Sequence, residues 1–133
     1  MFVSVLLLLS GDIEANPGPA NTLNFGYINA WSAVGKTAII HSVIDELQLD
    51  CLAITETWIR ESHPDTIKLD PAPPGYVIHH THRPGEGNGG GVAIVTRTEL
   101  QSRPFSLSWS DPACDIVAIH LPTATGRLNV IAL

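Results

Sequence analysis

Apolar and polar positions divide the first part of the chain into a strand, a helix and a second strand. Residues 23–29, "LNFGYIN", form a short apolar run that ends in a polar residue, which is typical of a strand. Residues 50–56, "DCLAITE", are almost continuously apolar, which is typical of a strand covered on both faces. Between them, residues 36–49 predict an amphipathic helix whose apolar positions have helical spacing: Ile40, Val43, Ile44 and Leu47.

Four more apolar runs follow with turn signals between them. Residues 76–82 and 91–97 flank the glycine-rich segment "RPGEGNGGG", which predicts a flexible turn between antiparallel strands. Residues 114–121 and 127–133 are separated by "PTATG", a spacing typical of a hairpin. One strand–helix–strand unit followed by successive strands indicates a layered α/β domain.

Composition and charge narrow the possible functions. The 133 residues are enough for one domain, 44% of them are hydrophobic, and the formal net charge is −6. The seven Lys and Arg residues are scattered singly, which counts against a nucleic-acid binder driven by electrostatics. Because a nuclease that holds a metal with carboxylates can be acidic, the sign of the charge does not exclude that class. Cys51 and Cys114 lie in apolar runs and predict buried free thiols.

The first nineteen residues differ in composition from the rest of the chain. Residues 2–9 are strongly apolar, but the run is too short to cross a membrane, so no stable membrane insertion is expected. The run has the length of a signal-peptide core, yet no Lys or Arg precedes it and no small-x-small cleavage site follows. The next stretch, "GDIEANPGP", contains two prolines and a glycine that break helices and strands.

One motif raises a nucleotide-binding alternative. "AWSAVGKT" lies between the first strand and the helix and matches a relaxed phosphate-loop pattern, with Ala in place of the first glycine. A phosphate cradle needs inward backbone amides and little side-chain bulk, whereas Trp31 and Val34 occupy a loop that holds one glycine. Lys36 is therefore interpreted as a first-turn helix residue, and a P-loop protein is the alternative.

A second candidate is the pair Asn29 and Glu56, which end the strands on either side of the helix. The carboxyl ends of neighbouring parallel strands meet at one edge of a sheet, where ligands usually bind. A carboxylate at the end of a buried apolar strand costs free energy unless it is paired or bound to a cation. Magnesium is a natural partner for it, and an amide beside it would orient a phosphate.

The histidines and the glycine-rich turn have simpler interpretations. In a strand, His80 and His82 share one face while His79 points to the other. A zinc site on two of these histidines would need a third ligand from elsewhere. A strand, not a helix, follows "GEGNGGG", so the dinucleotide fingerprint lacks its required context.

These residues together carry a family resemblance. "LNFGYINAWSAVGKTAIIHSVIDELQLDCLAITETWI" and the later "GYVIHHTHRPGEGNGGGVAIVTR" resemble the endonuclease/exonuclease/phosphatase superfamily, in the form found in LINE-type non-LTR retrotransposons. The resemblance implies that residues 19–133 form the N-terminal half of a two-sheet α/β sandwich. Because Leu133 lies inside an apolar strand pattern, the domain is expected to be incomplete at its C-terminus.

The resemblance also implies chemistry. Asn29 matches the family's active-site asparagine, and Glu56 matches its metal-binding glutamate. A divalent-metal phosphodiesterase that nicks target DNA is implied, with Mg²⁺ or Mn²⁺ as the metal. The family's tyrosine, Asp-x-Asn motif, further aspartate and terminal histidine fall later than Leu133, so catalysis by these residues alone is left open.

A second resemblance concerns the N-terminal segment, residues 1–18. "GDIEANPGP" fits the D-x-E-x-N-P-G-P pattern of 2A-type ribosome-skipping peptides, which occur at the N-termini of some LINE-type elements. The apolar run would act in the ribosome exit tunnel, and the bond between Gly18 and Pro19 would not form because proline is a hindered nucleophile. The motif residues are Asp12, Glu14, Asn16, Pro17, Gly18 and Pro19.

The resemblances also predict where the product acts. A retrotransposon product would be cytoplasmic and nuclear. In some such elements the unskipped leader acts as a signal peptide, which would direct the product to the secretory pathway. A secreted, noncatalytic interaction domain is therefore a further alternative.

Overall fold

The computed structural model describes residues 22–83, 85, 87, 89–124 and 126–133, and the backbone of residues 8–10. A 3₁₀ turn spans Thr98–Leu100. The strands and helices of this described part are β1 (Leu8–Ser10), β2 (Phe25–Asn29), α1 (Thr37–Glu46), β3 (Cys51–Thr55), α2 (Asp65–Lys68), β4 (Tyr76–Thr81), β5 (Val92–Arg97), β6 (Arg103–Pro104), β7 (Val117–Thr123) and β8 (Gly126–Ala132).

The first sheet has the strand order β2-β3-β5-β4. β2 runs parallel to β3, with Asn29 opposite Thr55, and α1 forms the crossover between them. β5 pairs antiparallel with both β3 and β4. The predicted strand–helix–strand unit and the predicted antiparallel pair are both confirmed.

Strand β3 is buried on both faces, as its continuous apolar run predicts. Cys51 and Ala53 pack against the second sheet, whereas Leu52 and Ile54 pack in the layer beneath α1. All five residues of β3 are buried. A strand with this much burial can carry a charged side chain only beyond its end.

Helix α1 covers the outer face of the first sheet with Ile40 and Ile44, both 2% exposed. The prediction that Leu47 belongs to this inner face is wrong, because α1 ends at Glu46 and Leu47 is 62% exposed. The chain turns there, with the Leu49 amide donating to the Ile44 carbonyl, and Leu49 is the residue that enters the core.

The second sheet has the order β1-β8-β7-β6 and is antiparallel throughout. Its inner side chains fill the space between the two sheets: Val117, Ile119, Leu121, Val130 and Ala132. The predicted β7–β8 hairpin is confirmed. Helix, sheet and sheet therefore form three layers, which confirms the predicted two-sheet α/β sandwich.

The sequence pattern did not predict α2, β6 or β1. β1 lies in the segment predicted as a leader, and its backbone pairs with β8, Leu8 opposite Ile131. The domain boundary after residue 18 stays a prediction. The ribosome-skipping motif lies outside the described residues: Asp12, Glu14, Asn16, Pro17, Gly18 and Pro19.

The two free cysteines have different environments. Cys51 is buried in β3, where burial and then the nearby Asp50 raise the pKa of its thiol to about 12. The prediction that Cys114 is buried is wrong, because it lies in a turn before β7 and is exposed. Neither helix in the described part of the chain has the length and hydrophobicity needed to cross a membrane.

Candidate active site

Asn29 and Glu56 lie at the same edge of the first sheet, where β2 and β3 end. Backbone pairing continues past the strands: the Ala30 amide donates to the Thr55 carbonyl at 2.9 Å, and the Ser32 amide to the Glu56 carbonyl at 2.8 Å. These bonds hold the loop that follows Asn29 against the segment that contains Glu56. The structure therefore brings the two predicted site residues to one rim.

The Glu56 carboxylate is fixed by two hydrogen bonds. Its Oε2 accepts from Trp58 Nε1 at 2.9 Å and from the Gly90 amide at 3.0 Å. The bond from Trp58, the bond from Gly90 and the charge of Arg83 lower the pKa of Glu56, and partial burial opposes them only in part. Glu56 is therefore ionised and held in one orientation at neutral pH.

Two glycines support the backbone around Glu56. The Thr57 amide donates to the Gly91 carbonyl at 3.1 Å, and the Trp58 amide to the Gly90 carbonyl at 3.0 Å. Gly90 and Gly91 have φ of 75° and 83°, a region that side chains disfavour. A Cβ at Gly91 would collide with Thr57 Oγ1. At these two glycines the predicted flexible turn is instead a close contact between two loops.

A second carboxylate, that of Asp115, lies two residues before β7 and binds one of these glycines. Its Oδ2 accepts from the Gly91 amide at 2.9 Å and pairs with Arg83 Nε at 3.3 Å. Sequence reasoning missed Asp115, Arg83 and Trp58. The available signal for Asp115 was a carboxylate directly before the apolar run "IVAIH".

The side chain of Asn29 is exposed at the rim and partly engaged. Its Oδ1 accepts from the Trp31 amide at 3.2 Å. With Oδ1 used as an acceptor, the Nδ2 group supplies the remaining donors. Asn29 thus presents N–H groups on the same rim as an ionised carboxylate, which suits an anionic ligand that also contacts a cation.

The phosphate-loop alternative is wrong. Lys36 Nζ donates to the carbonyls of Ala30 and Trp31 at 2.7 and 2.8 Å. The amides of Trp31, Ser32 and Ala33 donate to Asn29 Oδ1, the Glu56 carbonyl and the Thr57 carbonyl. A phosphate cradle needs converging free amides and a free ammonium, whereas these three amides and the Lys36 ammonium are already bonded within the protein.

The strand histidines lie on the predicted faces. The His80 and His82 rings share one side, with centroids 6.2 Å apart, while His79 Nε2 lies 2.9 Å from Ser102 Oγ on the other. Within the described residues no group of three His, Cys, Asp or Glu side chains is placed to hold a metal ion.

Comparison with known proteins agrees with this geometry. The model of the Endonuclease/Exonuclease/phosphatase family matches residues 21–133. The chain belongs to this family. The family match covers strands β2 to β8 and the rim that carries Asn29 and Glu56.

The chain is also similar to a curated protein and to a solved structure. The chain is 28% identical over 113 residues to the RNA-directed DNA polymerase from mobile element jockey of Drosophila melanogaster, covering 84% of this chain and 12% of that protein. The crystal structure of AP endonuclease LMAP from Leishmania major superposes with a TM-score of 0.65 at 13% identity, covering 92% of this chain and 45% of that one. The chain thus spans less than half the length of each of these two proteins. The similarity to the AP endonuclease structure establishes the fold.

Replacing Gly91 by Ala is expected to destabilise the protein more than replacing Gly35 by Ala. Gly35 has a similar φ of 76°, but a Cβ there meets nothing within 4 Å, so it reports the backbone cost alone, about 1–2 kcal/mol. At Gly91 the collision with Thr57 adds about 1–3 kcal/mol. Urea denaturation of both variants measures the difference, and equal losses would contradict the contact.

Replacing Trp58 by Phe is expected to raise the pKa of Glu56 toward its ordinary value of 4.5. The substitution removes the indole hydrogen bond, which lowers this pKa more than any other contact. Glu56 should then protonate at a higher pH than in the wild type. A lowered pKa contributes stability above 4.5 that is lost as pH falls through the folded value, so this contribution should shrink. Carboxyl ¹³C NMR titration measures the change. Trp109→Phe is the control, and an unchanged Glu56 titration in Trp58→Phe would refute the role of this bond.

Proposed function

We propose that this chain forms part of a divalent-metal-dependent DNA endonuclease from a LINE-type retrotransposon, which nicks target DNA by phosphodiester hydrolysis. The observation that carries the proposal is the ionised Glu56, fixed by Trp58 and Gly90 on the rim that also carries Asn29, in a chain of this family. The likeness to a polymerase from a mobile element supports the retrotransposon source. The fold shared with an AP endonuclease supports the type of reaction.

The residues at the rim fit a hard cation such as Mg²⁺ or Mn²⁺. Glu56 supplies an ionised carboxylate, and its two described hydrogen bonds both go to Oε2, so Oε1 is the oxygen offered to a cation. Magnesium is commonly held by one or two carboxylates, with water and substrate phosphate as its other ligands. A rim with one fixed carboxylate therefore suits the metal. When bound, the metal would polarise the scissile phosphate and stabilise the leaving oxygen.

Each of the two residues has a separate task in this proposal. Glu56 holds its carboxylate in one orientation, because Trp58 and Gly90 bind the same oxygen. Asn29 donates from Nδ2 to a nonbridging phosphate oxygen, since its Oδ1 is held by the Trp31 amide. The family resemblance assigns the activation of water to residues later in the chain.

We also propose that residues 1–18 act during translation as a 2A-type leader. The support is the full D-x-E-x-N-P-G-P match in a chain similar to a mobile-element protein. Hydrolysis of the peptidyl ester at Gly18 would release the leader, and synthesis would resume at Pro19. The skipped product would act in the cytoplasm and nucleus, and an unskipped leader would direct the chain to the secretory pathway.

Replacing Glu56 by Gln is expected to reduce Mg²⁺-dependent nicking at least about a hundredfold, because the neutral amide removes a metal-binding charge. The assay is conversion of supercoiled plasmid to open circles by the full protein that carries this chain. Glu46→Gln, at an exposed position of α1, makes the same chemical change away from the rim and should leave nicking intact. Unchanged nicking by Glu56→Gln would rule out its role.

Replacing Pro19 by Ala is expected to abolish ribosome skipping, because alanine is an unhindered nucleophile. Translation in vitro with a reporter fused after residue 133 should give two products from the wild type and a single fused product from Pro19→Ala. Asn21→Ala, outside the octapeptide, is the control and should keep two products. Two products from Pro19→Ala would disprove the leader proposal.

A further inference from the structure

Trp31 is a large aromatic residue that the fold displays at the rim. It is 74% exposed, and it lies two residues after Asn29. Its φ is 45° and that of Ser32 is 78°, so two consecutive side-chain-bearing residues adopt the left-handed region. Single exposed apolar residues are common on protein surfaces, but a strained backbone that presents one is not.

The strain is concentrated at this rim. In the described part of the chain, six non-glycine residues have positive φ, and four of them belong to the candidate site or lie within three residues of it along the chain: Trp31, Ser32, Glu56 and Trp58. Such conformations cost free energy and persist where surrounding contacts over-determine them, which is characteristic of functional sites.

The backbone of Trp31 is held at both of its polar groups. Its amide donates to Asn29 Oδ1 at 3.2 Å, and its carbonyl accepts from Lys36 Nζ at 2.8 Å. The next amide, of Ser32, donates to the Glu56 carbonyl at 2.8 Å. The position of the Trp31 backbone is thus coupled to both residues of the proposed site, and the indole extends from a fixed base.

Two cationic side chains in this part of the chain are engaged within the protein. Lys36 is engaged with two carbonyls and Arg83 with Asp115, in a chain of net charge −6. Phosphate contacts by Lys and Arg usually supply most of the affinity for DNA. Because Lys36 and Arg83 are held in this way, a source of affinity besides their phosphate contacts would strengthen DNA binding, and stacking of bases on aromatic side chains is such a source.

We propose that Trp31 is a substrate-contacting residue, on whose indole face a nucleobase adjacent to the scissile phosphate stacks. The proposal rests on the proposed function and names the part of the substrate that this rim recognises besides its phosphate. A base reaches the indole only when it is unpaired or displaced from the helix, so the proposal favours distorted or single-stranded DNA near the nick. Since every base has a π face, the contact is independent of sequence.

Binding of a fluorescein-labelled single-stranded oligonucleotide in EDTA, followed by anisotropy, tests the proposal without catalysis. The full protein carrying this chain is compared with Trp31→Ala, Trp31→Phe and Trp109→Ala. Trp31→Ala should raise the Kd about tenfold, and Trp31→Phe should recover part of the affinity. Trp109 is 55% exposed on a loop before β7, so Trp109→Ala is the matched control. This substitution should leave the Kd for the oligonucleotide unchanged.

A second oligonucleotide set separates stacking from a general effect on the loop. In this set, abasic sites replace the bases one at a time. At the stacked position the wild type should lose affinity to the level of Trp31→Ala, and Trp31→Ala should lose nothing further. Less than a twofold change in Kd for Trp31→Ala, or equal losses by both proteins at every abasic position, would overturn the proposal.

Failure of the Trp31 proposal can be distinguished from failure of the proposed endonuclease function. If Glu56→Gln still nicks DNA, the catalytic assignment fails while the metal-free binding experiment still decides on Trp31. If Trp31→Ala leaves DNA binding unchanged but alters self-association in sedimentation, Trp31 is a protein contact and the stacking proposal is wrong. Because Trp31 is exposed, its variants should keep the wild-type circular dichroism spectrum and thermal midpoint within about 2 °C.

Discussion

The burial of β3 on both of its faces is the constraint on which the rest of the structure depends. Leu52 and Ile54 lie beneath α1, while Cys51 and Ala53 face the second sheet, so every position of the strand is closed to solvent. Burying an aliphatic side chain of this size contributes about 1.5–3 kcal/mol. The first place that can carry a charge is the residue after the strand, and that residue is Glu56.

The contacts at the rim beyond β3 orient the carboxylate of Glu56 without neutralising its charge. A lysine paired with this carboxylate would neutralise the charge that a cation needs, but Lys36 is directed to backbone carbonyls instead. The main contacts that lower the pKa of Glu56 are neutral donors, the indole of Trp58 and the amide of Gly90. Neutral donors stabilise and orient the anion without cancelling its charge, which is the arrangement that the proposed metal-binding role of Glu56 needs.

Local patterns predicted much of the fold and failed for identifiable reasons. Helical spacing identified Ile40 and Ile44, but it extended the buried face to Leu47, because spacing does not reveal that the helix ends one residue earlier. Cys114 was assigned to a strand because apolar residues follow it, yet β7 begins at Val117. Asn29 was predicted twice as a site residue, from its place at a strand end and from the family resemblance, and its role stays a prediction.

The sequence by itself determined the layers and the edge at which the candidate site residues lie, because burial imposes local periodicity and the ends of apolar runs mark where strands meet solvent. It did not determine how the site is held. The amide of Gly90 reaches Glu56 across 34 residues, and the amide of Gly91 reaches Asp115 across 24. The packing of the two sheets brings these loops together. Hydrogen bonds between distant loops produce no periodic pattern in the sequence, so the sequence alone could not predict them.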